Sequence, residues 1–275
     1  MAKVILITGA SSGIGFDAAR TLAEEGHRVY AAARRVQLME PLKEVGIVPL
    51  RMDVTDETSM QDGVRTVLER EGRIDVLVNN AGYGFFGAVE TVPMEQARRQ
   101  QEVNVFGLAR LCQLVLPAMR AQGSGRIINV ASIAGKLVLL YGGWYHVSKY
   151  SVEALSDAMR RELKPFGIDV VLIEPGMIGT DWGKIAAEHL TESCRGTAYG
   201  PTGSAMGDNM RTLYASRWPS PPSVVTRALV RAVDSRRPKV RYRIGRGAGT
   251  MVFFHSILPA RWWDAMNRMA GKIHL

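Results

Sequence analysis

Two side chains that could share a proton lie four residues apart in this sequence, Tyr145 and Lys149. On a helix this spacing places both side chains on one face. An ammonium group beside a phenol stabilises the phenolate, and so lowers the pKa of the tyrosine from about 10 towards the range of a general acid or base. Ser132 follows an apolar run upstream, where its hydroxyl could face the phenol, and Asn104 interrupts an apolar helix face. Each could be a hydrogen-bonded core residue, but together they predict an acid–base site.

A glycine-rich segment near the N-terminus, Thr8–Gly15 (TGASSGIG), joins an apolar run to a helical pattern. Glycines allow a sharp turn that brings backbone N–H groups against a diphosphate, and the N-terminus of the following helix adds a positive dipole. The spacing is G-x-x-x-G-x-G rather than G-x-G-x-x-G. A tight turn between a strand and a helix would also use glycines, but the position of the segment predicts a dinucleotide site.

The residues at the end of the second predicted strand are expected to determine whether NAD or NADP binds. NAD sites place a carboxylate here, about 20 residues beyond the glycines, to bind the ribose 2′-hydroxyl. This chain has Ala33 followed by Arg34 and Arg35. A guanidinium group can bind a 2′-phosphate with two hydrogen bonds. Arginines that begin a surface helix are the alternative interpretation; we predict that NADP(H) is preferred over NAD(H).

Composition excludes several classes of protein. The chain has 275 residues, of which 47% are apolar and 22% charged, and this is enough to bury a core without disulfides or a structural metal. The two cysteines, Cys112 and Cys194, are too few for a disulfide framework or a cysteine-rich zinc site, so no metal is predicted. Neither a secretory signal nor an apolar stretch of the roughly 20 residues that span a membrane is found. We therefore predict a cytoplasmic location without stable membrane insertion.

Much of the net charge of +9 lies late in the chain. There, apolar residues alternate with arginines over Val240–Ile244, a pattern that predicts a strand with one solvated face rather than a nucleic-acid partner. The tail that follows is rich in aromatic residues near Arg261 and Arg268. These residues are Phe253, Phe254, Trp262 and Trp263. Packing on the core or on another subunit is one interpretation, and a membrane-surface helix is the other.

Apolar strand-like runs alternate with amphipathic helical segments along most of the chain. The predicted strands are Val4–Ile7, Val29–Ala33, Val48–Leu50, Val76–Val78, Ile127–Val130, Val170–Ile173 and Val240–Ile244. The predicted helices are Phe16–Glu25, Thr58–Glu71, Glu95–Ala121, Tyr145–Lys164 and Val224–Val233. Such alternation predicts an α/β fold, a doubly wound parallel sheet with helices on both faces and ligands at the carboxyl ends of the strands. Residues 191–222, rich in Gly, Ser, Thr and Pro, are predicted to form a mobile loop, part of a lid over about 183–222.

Taken together, these motifs resemble a short-chain dehydrogenase/reductase of the common type of about 250 residues. The resemblance covers residues 1–180. It is carried by Thr8–Gly15, Asp53-Val54, Asn79-Asn80-Ala81-Gly82, Asn104, Ser132, Tyr145-x-x-x-Lys149, and Pro175-Gly176 with Thr180. It implies one NAD(P)-binding Rossmann-like domain over 1–275, with seven strands in the order 3-2-1-4-5-6-7 and a C-terminal extension over about 246–275. It also implies a homodimer or homotetramer that pairs through the helices Glu95–Ala121 and Tyr145–Lys164.

The resemblance assigns roles to individual residues. Tyr145 donates a proton to a carbonyl, or accepts one from an alcohol, while hydride passes to or from nicotinamide C4. Lys149 lowers the pKa of Tyr145 and binds the nicotinamide ribose, Ser132 orients the substrate oxygen, and Asn104 holds a water that links Lys149 to solvent. Asp53 and Val54 hold adenine, Asn80 a ribose, and Ile178 and Thr180 the carboxamide. The other expected cofactor contacts are Gly9, Ser11, Ser12, Gly13, Ile14, Gly15, Arg34, Arg35, Ala81, Gly82, Pro175 and Gly176.

The substrate is predicted to be a lipophilic ketone or secondary alcohol. The segment Lys136–Trp144 is strongly apolar, and Tyr83, Phe85 and Phe86 follow a predicted strand end. The sequence from Pro175 is similar to the branch that contains 17β-hydroxysteroid and retinol dehydrogenases. Two alternatives stay open: a dinucleotide-binding sensor without turnover, and a membrane-peripheral dehydrogenase of the steroid or retinoid type.

Overall fold

The computed structural model describes residues 2–270 and is built around a parallel sheet. Within these residues the sheet has seven strands in the order β3-β2-β1-β4-β5-β6-β7. The strands are β1 Val4–Thr8, β2 Arg28–Ala33, β3 Val48–Arg51, β4 Val76–Asn79, β5 Gly125–Val130, β6 Ile168–Pro175 and β7 Arg241–Ile244. Every neighbouring pair is parallel, so the predicted fold class and strand order are confirmed.

Helices cover both faces of the sheet. They are α1 Gly13–Glu24, α2 Glu57–Glu71, α3 Met94–Gln101, α4 Gly107–Gln122, α5 Gly143–Glu162, α6 Trp182–Cys194, α7 Gly200–Ala215, α8 Ser223–Asp234, α9 Ala248–Ile257 and α10 Ala260–Ala270. A π-helical turn, Glu102–Phe106, joins α3 to α4. Shorter 3-10 segments lie at Val36–Val45, Ile133–Gly135 and Lys164–Phe166.

The strands are buried on both faces because each supplies side chains to two cores. In β1, Ile5 and Ile7 pack with α1 and α8, whereas Val4 and Leu6 pack with α2 and α4. Successive strand residues point to opposite faces, so a continuous apolar run satisfies both layers. The helical run Met94–Gln122 is long and apolar enough to cross a bilayer. Its buried side chains pack in the second core, as those of a core helix do.

The prediction of a mobile loop over 191–222 is wrong. Most of this segment belongs to α6 and α7, which pack against each other. A Cβ atom on Gly203 would lie 2.5 Å from the Cβ of Cys194, and one on Gly207 would lie 2.4 Å from the hydroxyl of Thr191. These glycines, four residues apart on one face of α7, allow two helices to approach closely. The glycine content of the segment resembles that of a loop, but the four-residue spacing of these two glycines places them on one face of a helix.

The edge strand β7 also differs from its prediction as a strand with a solvated basic face. Arg241 lies 3.2 Å from Glu153, 2.8 Å from Asp157 and 3.1 Å from Glu174, and Arg243 lies 2.9 Å from Glu174. Glu174 and Glu153 are buried. Because a buried carboxylate is costly unless it is paired, the arginines of β7 are drawn inwards to these acids.

Candidate active site

The glycine-rich segment follows β1 and turns into α1, as the sequence predicts. Gly9 has φ +68°, and a Cβ atom on it would lie 2.8 Å from the Cα of Ala81. Only glycine fits this position, because the backbone is left-handed and the segment that follows β4 lies against it. Ser12 precedes α1 without using its hydroxyl as a cap, so that hydroxyl is free for a ligand at the helix N-terminus.

Two polar residues hold the glycine-rich segment against the end of β4. The hydroxyl of Thr8 accepts hydrogen bonds from the backbone N–H groups of Asn80 and Ala81, both at 3.1 Å. The amide of Asn80 donates to the carbonyl oxygens of Thr8, at 2.9 Å, and Gly9, at 3.3 Å. The Asn80 amide nitrogen is thus turned towards the glycine loop. Thr8 begins the glycine-rich motif, but its spacing in the sequence does not predict this bracing role.

A cleft of about 320 Å³ opens at the carboxyl ends of β1, β2 and β4. This volume is within the range of small-molecule sites. Nine of the predicted cofactor residues line the cleft: Gly9, Ser11, Ser12, Arg34, Arg35, Asp53, Val54, Ala81 and Gly82. It is also lined by residues that were not predicted to bind cofactor: Thr8, Ala32, Ala33, Met52, Tyr83, Phe85, Gln96, Arg99, Val103 and His189. Arg99, Gln96 and His189 come from distant helices, so no local motif identifies them.

The other predicted cofactor residues do not line this cleft. They are Gly13, Ile14, Gly15, Asn80, Tyr145, Lys149, Pro175, Gly176, Ile178 and Thr180. Thr180 nevertheless lies beside the glycine-rich segment, because a Cβ atom on Gly13 would be 3.5 Å from its methyl group. Ile178 is held by a bridge to Ser220.

The cleft carries an excess of positive charge. Arg34, Arg35 and Arg99 line it with no ion-pair partner in the part of the chain described, whereas Asp53 is the only acidic side chain among the lining residues. The Tyr83 hydroxyl is buried and has no hydrogen-bond partner in the structure. Burial raises the pKa of this phenol, and the charges of Arg99 and Arg34 oppose that rise. Unpaired guanidinium groups and an unsatisfied hydroxyl are what an anionic, hydrogen-bonding ligand such as a dinucleotide phosphate requires.

Three predicted catalytic residues meet beside this cleft. Tyr145 is buried on α5, and the Ser132 side chain lies close enough to influence the pKa of its phenol. The Ser132 hydroxyl donates to the carbonyl oxygen of Pro175 at 3.3 Å and accepts from the N–H of Ala134 at 3.1 Å. The ammonium of Lys149 lies 5.9 Å from the centre of the Tyr145 ring. The predicted juxtaposition of Ser132, Tyr145 and Lys149 is therefore present.

Burial controls the protonation of this group. It raises the pKa of Tyr145 to about 12, rather than lowering it as the sequence predicts, and the nearby Ser132 side chain opposes that rise. It lowers the pKa of Lys149 to about 8, an effect that the negative charge of Glu153 opposes. The Lys149 ammonium donates to the carbonyl of Val130 at 2.9 Å. In this state Tyr145 is protonated at neutral pH, and it can donate a proton to a reacting oxygen.

Asn104 lies in the π-helical turn between α3 and α4, and it is buried. Its amide nitrogen donates to the Tyr83 carbonyl at 2.9 Å and to the Ser148 hydroxyl at 3.0 Å, and its oxygen accepts from the Tyr83 N–H at 3.0 Å. Turns of this kind recur at functional sites. Here the turn fixes the backbone that follows β4, directly beside Gly82 and Lys149: a Cβ atom on Gly82 would lie 3.7 Å from the Lys149 ammonium.

The segment before α5 is fixed by contacts that the sequence analysis missed. His146 is buried; one ring nitrogen bonds the carbonyl of Ala134 at 2.9 Å, and the other accepts from the N–H of Leu139 at 3.0 Å. Burial lowers the pKa of His146, so the ring stays neutral and keeps both bonds. Tyr141 has φ +63°, a conformation that is uncommon outside glycine, and its hydroxyl bonds Thr202 of α7. The segment is thereby tied to the helices that follow β6.

Aromatic side chains cover Tyr145. Its ring centre lies 5.1 Å from that of Trp182 and 5.6 Å from that of Phe86, and Trp182 in turn lies 6.4 Å from Tyr214. Leu190, Met206 and Met210 complete this cluster on α6 and α7. The side chains that pack around the phenol are therefore mostly aromatic and apolar.

Comparison with known proteins identifies relatives across the whole chain. The sequence model of the short chain dehydrogenase family matches residues 3–190. A 3-ketodihydrosphingosine reductase of Bacteroides thetaiotaomicron is 42% identical over 179 residues, which cover 65% of this chain and 65% of that protein. A short-chain dehydrogenase from Streptomyces avermitilis is 32% identical, with a TM-score of 0.81 over 99% of this chain and 97% of that one. A metagenomic short-chain oxidoreductase solved in complex with NADP is 33% identical, with a TM-score of 0.61 over 63% of this chain and 81% of that one.

Proposed function

This chain belongs to the short-chain dehydrogenase/reductase family of oxidoreductases, and we propose that it interconverts a lipophilic ketone and its secondary alcohol with NADP(H). The observation that carries the proposal is the buried Tyr145 phenol, close to Ser132 and Lys149, beside a basic cleft of about 320 Å³. An intact set of this kind favours catalysis over the alternative of a sensor without turnover.

The residues around Tyr145 supply proton chemistry. Bound NADPH supplies the hydride in the direction of reduction. Ser132 donates a hydrogen bond to the carbonyl oxygen and stabilises the charge that grows on it. Tyr145 then transfers its hydroxyl proton to the same oxygen, and its high pKa keeps that proton in place until the oxygen becomes strongly basic. The cationic form of Lys149 stabilises the phenolate that is left.

The arginines of the cleft support a preference for NADP(H). We propose that Arg34 and Arg35 bind the 2′-phosphate, and that Arg99 of α3 contacts the other cofactor phosphates. Each contact between a guanidinium and a phosphate is worth about 1.5–3 kcal/mol. The similar metagenomic oxidoreductase, which was solved with NADP, agrees with this choice.

The apolar cover over Tyr145 supports a lipophilic substrate. Phe86, Trp182 and the methionines of α7 offer dispersion and apolar burial rather than hydrogen bonds, which favours a lipophilic substrate over a sugar. The similar Bacteroides protein is named for a ketone, 3-ketodihydrosphingosine. We propose that α6 and α7 move as a packed pair when substrate enters, because they now lie against the phenol.

We also propose that the protein is a cytoplasmic homo-oligomer. Phe106, Val147 and Tyr150 are exposed apolar side chains on or next to α4 and α5, the helices through which pairing is predicted. Their burial against a second copy would remove apolar surface from water.

The cofactor proposal is tested by measuring the Kd of NADPH and NADH by fluorescence, together with turnover of a panel of ketones. Arg34→Ala should weaken NADPH binding about 10-fold or more and change NADH binding much less. Arg99→Gln should weaken both, whereas Arg98→Gln, a neighbour outside the cleft, should change neither. Equal affinity of the unmodified protein for NADPH and NADH would contradict the NADP(H) assignment. Binding without turnover of any ketone or alcohol would favour the sensor.

A further inference from the structure

The helix α9 is apolar on two opposite faces. One face packs against the segment before α5 and against α10, and contains Met251, Val252 and Leu258. The other face carries Phe253, Phe254 and Ile257, which are 58%, 42% and 57% exposed. None of the ten residues of α9 is acidic or basic except His255, whose ring packs on Trp263. A helix that is apolar all round is normally buried on all sides, so the outer face of α9 lacks a partner in the structure.

The helix α10 continues this surface. Trp263 points inwards, and its ring N–H donates to the carbonyl of Val138 at 3.2 Å. Trp262 and Met266, one turn apart, are 69% and 42% exposed. Arg261 and Arg268 occupy an adjacent side of the helix, with no ion pair in the part of the chain described. We call the exposed residues Phe253, Phe254, Ile257, Trp262 and Met266 the C-terminal apolar face.

The C-terminal part of the sequence, which contains this face, is strongly basic. Residues 235–275 contain nine lysines and arginines and a single acid, Asp264, so they hold +8 of the net charge of +9. Arg241 and Arg243 of this stretch are paired with buried carboxylates, but Arg246, Arg261 and Arg268 are exposed. A second copy of the same face would bring these cations together, which opposes self-association through it. An anionic surface would attract them.

We propose that the C-terminal apolar face docks on the surface of an anionic lipid bilayer. Exposed Trp and Phe beside Arg are what an interfacial helix uses: the rings enter the boundary between headgroups and acyl chains, and the guanidinium groups bind lipid phosphates. The face lies next to the segment that leads to α5, because Leu137 and Leu139 of that segment pack in the same cluster as Trp263. Docking therefore brings the region around the substrate site to a lipid phase. The surface lies outside the catalytic machinery and does not depend on the proposed reaction.

The test is sedimentation of the full chain with vesicles of POPC alone and of POPC with POPG. We expect binding to the POPG vesicles, weakened by high salt, and little binding to POPC. The double variant F254S/W262S should bind the POPG vesicles at least about 10-fold more weakly. Its matched control is F166S. This variant removes an exposed aromatic ring from the 3-10 segment before β6, at the amino-terminal ends of the strands.

A second double variant and its control test the contribution of the arginines to vesicle binding. R261Q/R268Q should weaken binding to POPG vesicles about 30-fold, at about one factor of five for each arginine. R236Q/R237Q removes the same charge from the loop between α8 and β7, at the amino-terminal ends of the strands, and should have a much smaller effect. NADPH binding and turnover of a water-soluble ketone should be unchanged in all four variants, which verifies their fold.

Four results would overturn the proposal. One is that the unmodified protein fails to sediment with POPG vesicles, and another is that it binds POPC equally well. A third is that the variants of the C-terminal apolar face bind as tightly as F166S and R236Q/R237Q. The last is that F254S/W262S lowers the mass of the free protein in light scattering, which would assign the face to contact between copies of the chain.

Discussion

Arg241 is expected to be the most important single cation for the stability of the chain. Its guanidinium bridges carboxylates on three positions, Glu153 and Asp157 of α5 and Glu174 of β6. It thereby joins the helix that carries Tyr145 to the edge of the sheet. We expect Arg241→Gln to leave the fold intact but to lower the free energy of unfolding.

The size of this loss of stability depends on the ion pairs that the two buried acids, Glu153 and Glu174, keep when Arg241 is removed. At 3.1 Å and an effective dielectric constant of about 20, one charge pair is worth about 5 kcal/mol before the cost of desolvation is subtracted. Breaking a buried pair by removing one partner typically costs about 3–5 kcal/mol. Glu153 retains Lys136 at 2.7 Å and Glu174 retains Arg243 at 2.9 Å, so we expect the lower end, about 3 kcal/mol. In thermal unfolding this corresponds to a fall in Tm of about 5–10 °C.

The loss of unfolding free energy in Arg241→Gln should depend on pH. Burial raises the pKa of Glu153, and Lys136 and Arg241 oppose that rise, so the pKa increases further when Arg241 is removed. The folded variant then binds a proton that the unfolded chain does not bind, over the interval between the unfolded and folded pKa values. Its stability therefore falls as pH rises through that interval, and the loss relative to the unmodified protein should be greater near pH 8 than near pH 5.

Urea denaturation at both pH values measures this effect. Arg237→Gln, which removes an exposed arginine with no ion pair in the region that the structure describes, is the control and should cost less than about 0.5 kcal/mol. A loss below about 1 kcal/mol for Arg241→Gln, or an equal loss at both pH values, would refute the reasoning.

Two further predictions concern packing and assembly. Gly203→Ala places a methyl group against Cys194 of α6 and should lower the free energy of unfolding by about 1–3 kcal/mol in urea. Gly249→Ala, which adds the same group to open space in α9, should not destabilise; equal effects would contradict close packing of α6 on α7. Light scattering at micromolar concentration should give at least twice the monomer mass of 30.2 kDa, and Phe106→Asp should reduce it. A single species of monomer mass before substitution would contradict the oligomer.

The strands and the proximity of Tyr145 to Lys149 could be predicted from sequence because each carries a local signal. A strand buried on both faces, such as β1, is a continuous apolar run. Tyr145 and Lys149 meet because a helix places residues four apart on one face. The order of the strands was implied by the family resemblance and could not be derived from any one segment.

The parts that could not be predicted depend on contacts between distant residues. Arg99 and His189 reach the cleft from helices far apart in sequence, with no spacing that marks them. Arg241 belongs to a strand pattern with a basic face, and only its ion pairs with acids of α5 and β6 turn it inwards. The high glycine content of α7 resembles that of a loop. Its glycines have a helical spacing because α6 packs closely against them, and this contact cannot be seen in the sequence.

The central claim is that Tyr145 is the proton donor of an NADP(H)-dependent reaction, and Tyr145→Phe tests it most directly. The substitution keeps the ring that packs between Phe86 and Trp182 but removes the transferable proton. Steady-state turnover of a ketone identified in the panel should fall at least about 100-fold, while the Kd of NADPH and the Tm change little. Near-normal turnover by Tyr145→Phe, with the fold and cofactor binding intact, would contradict the account.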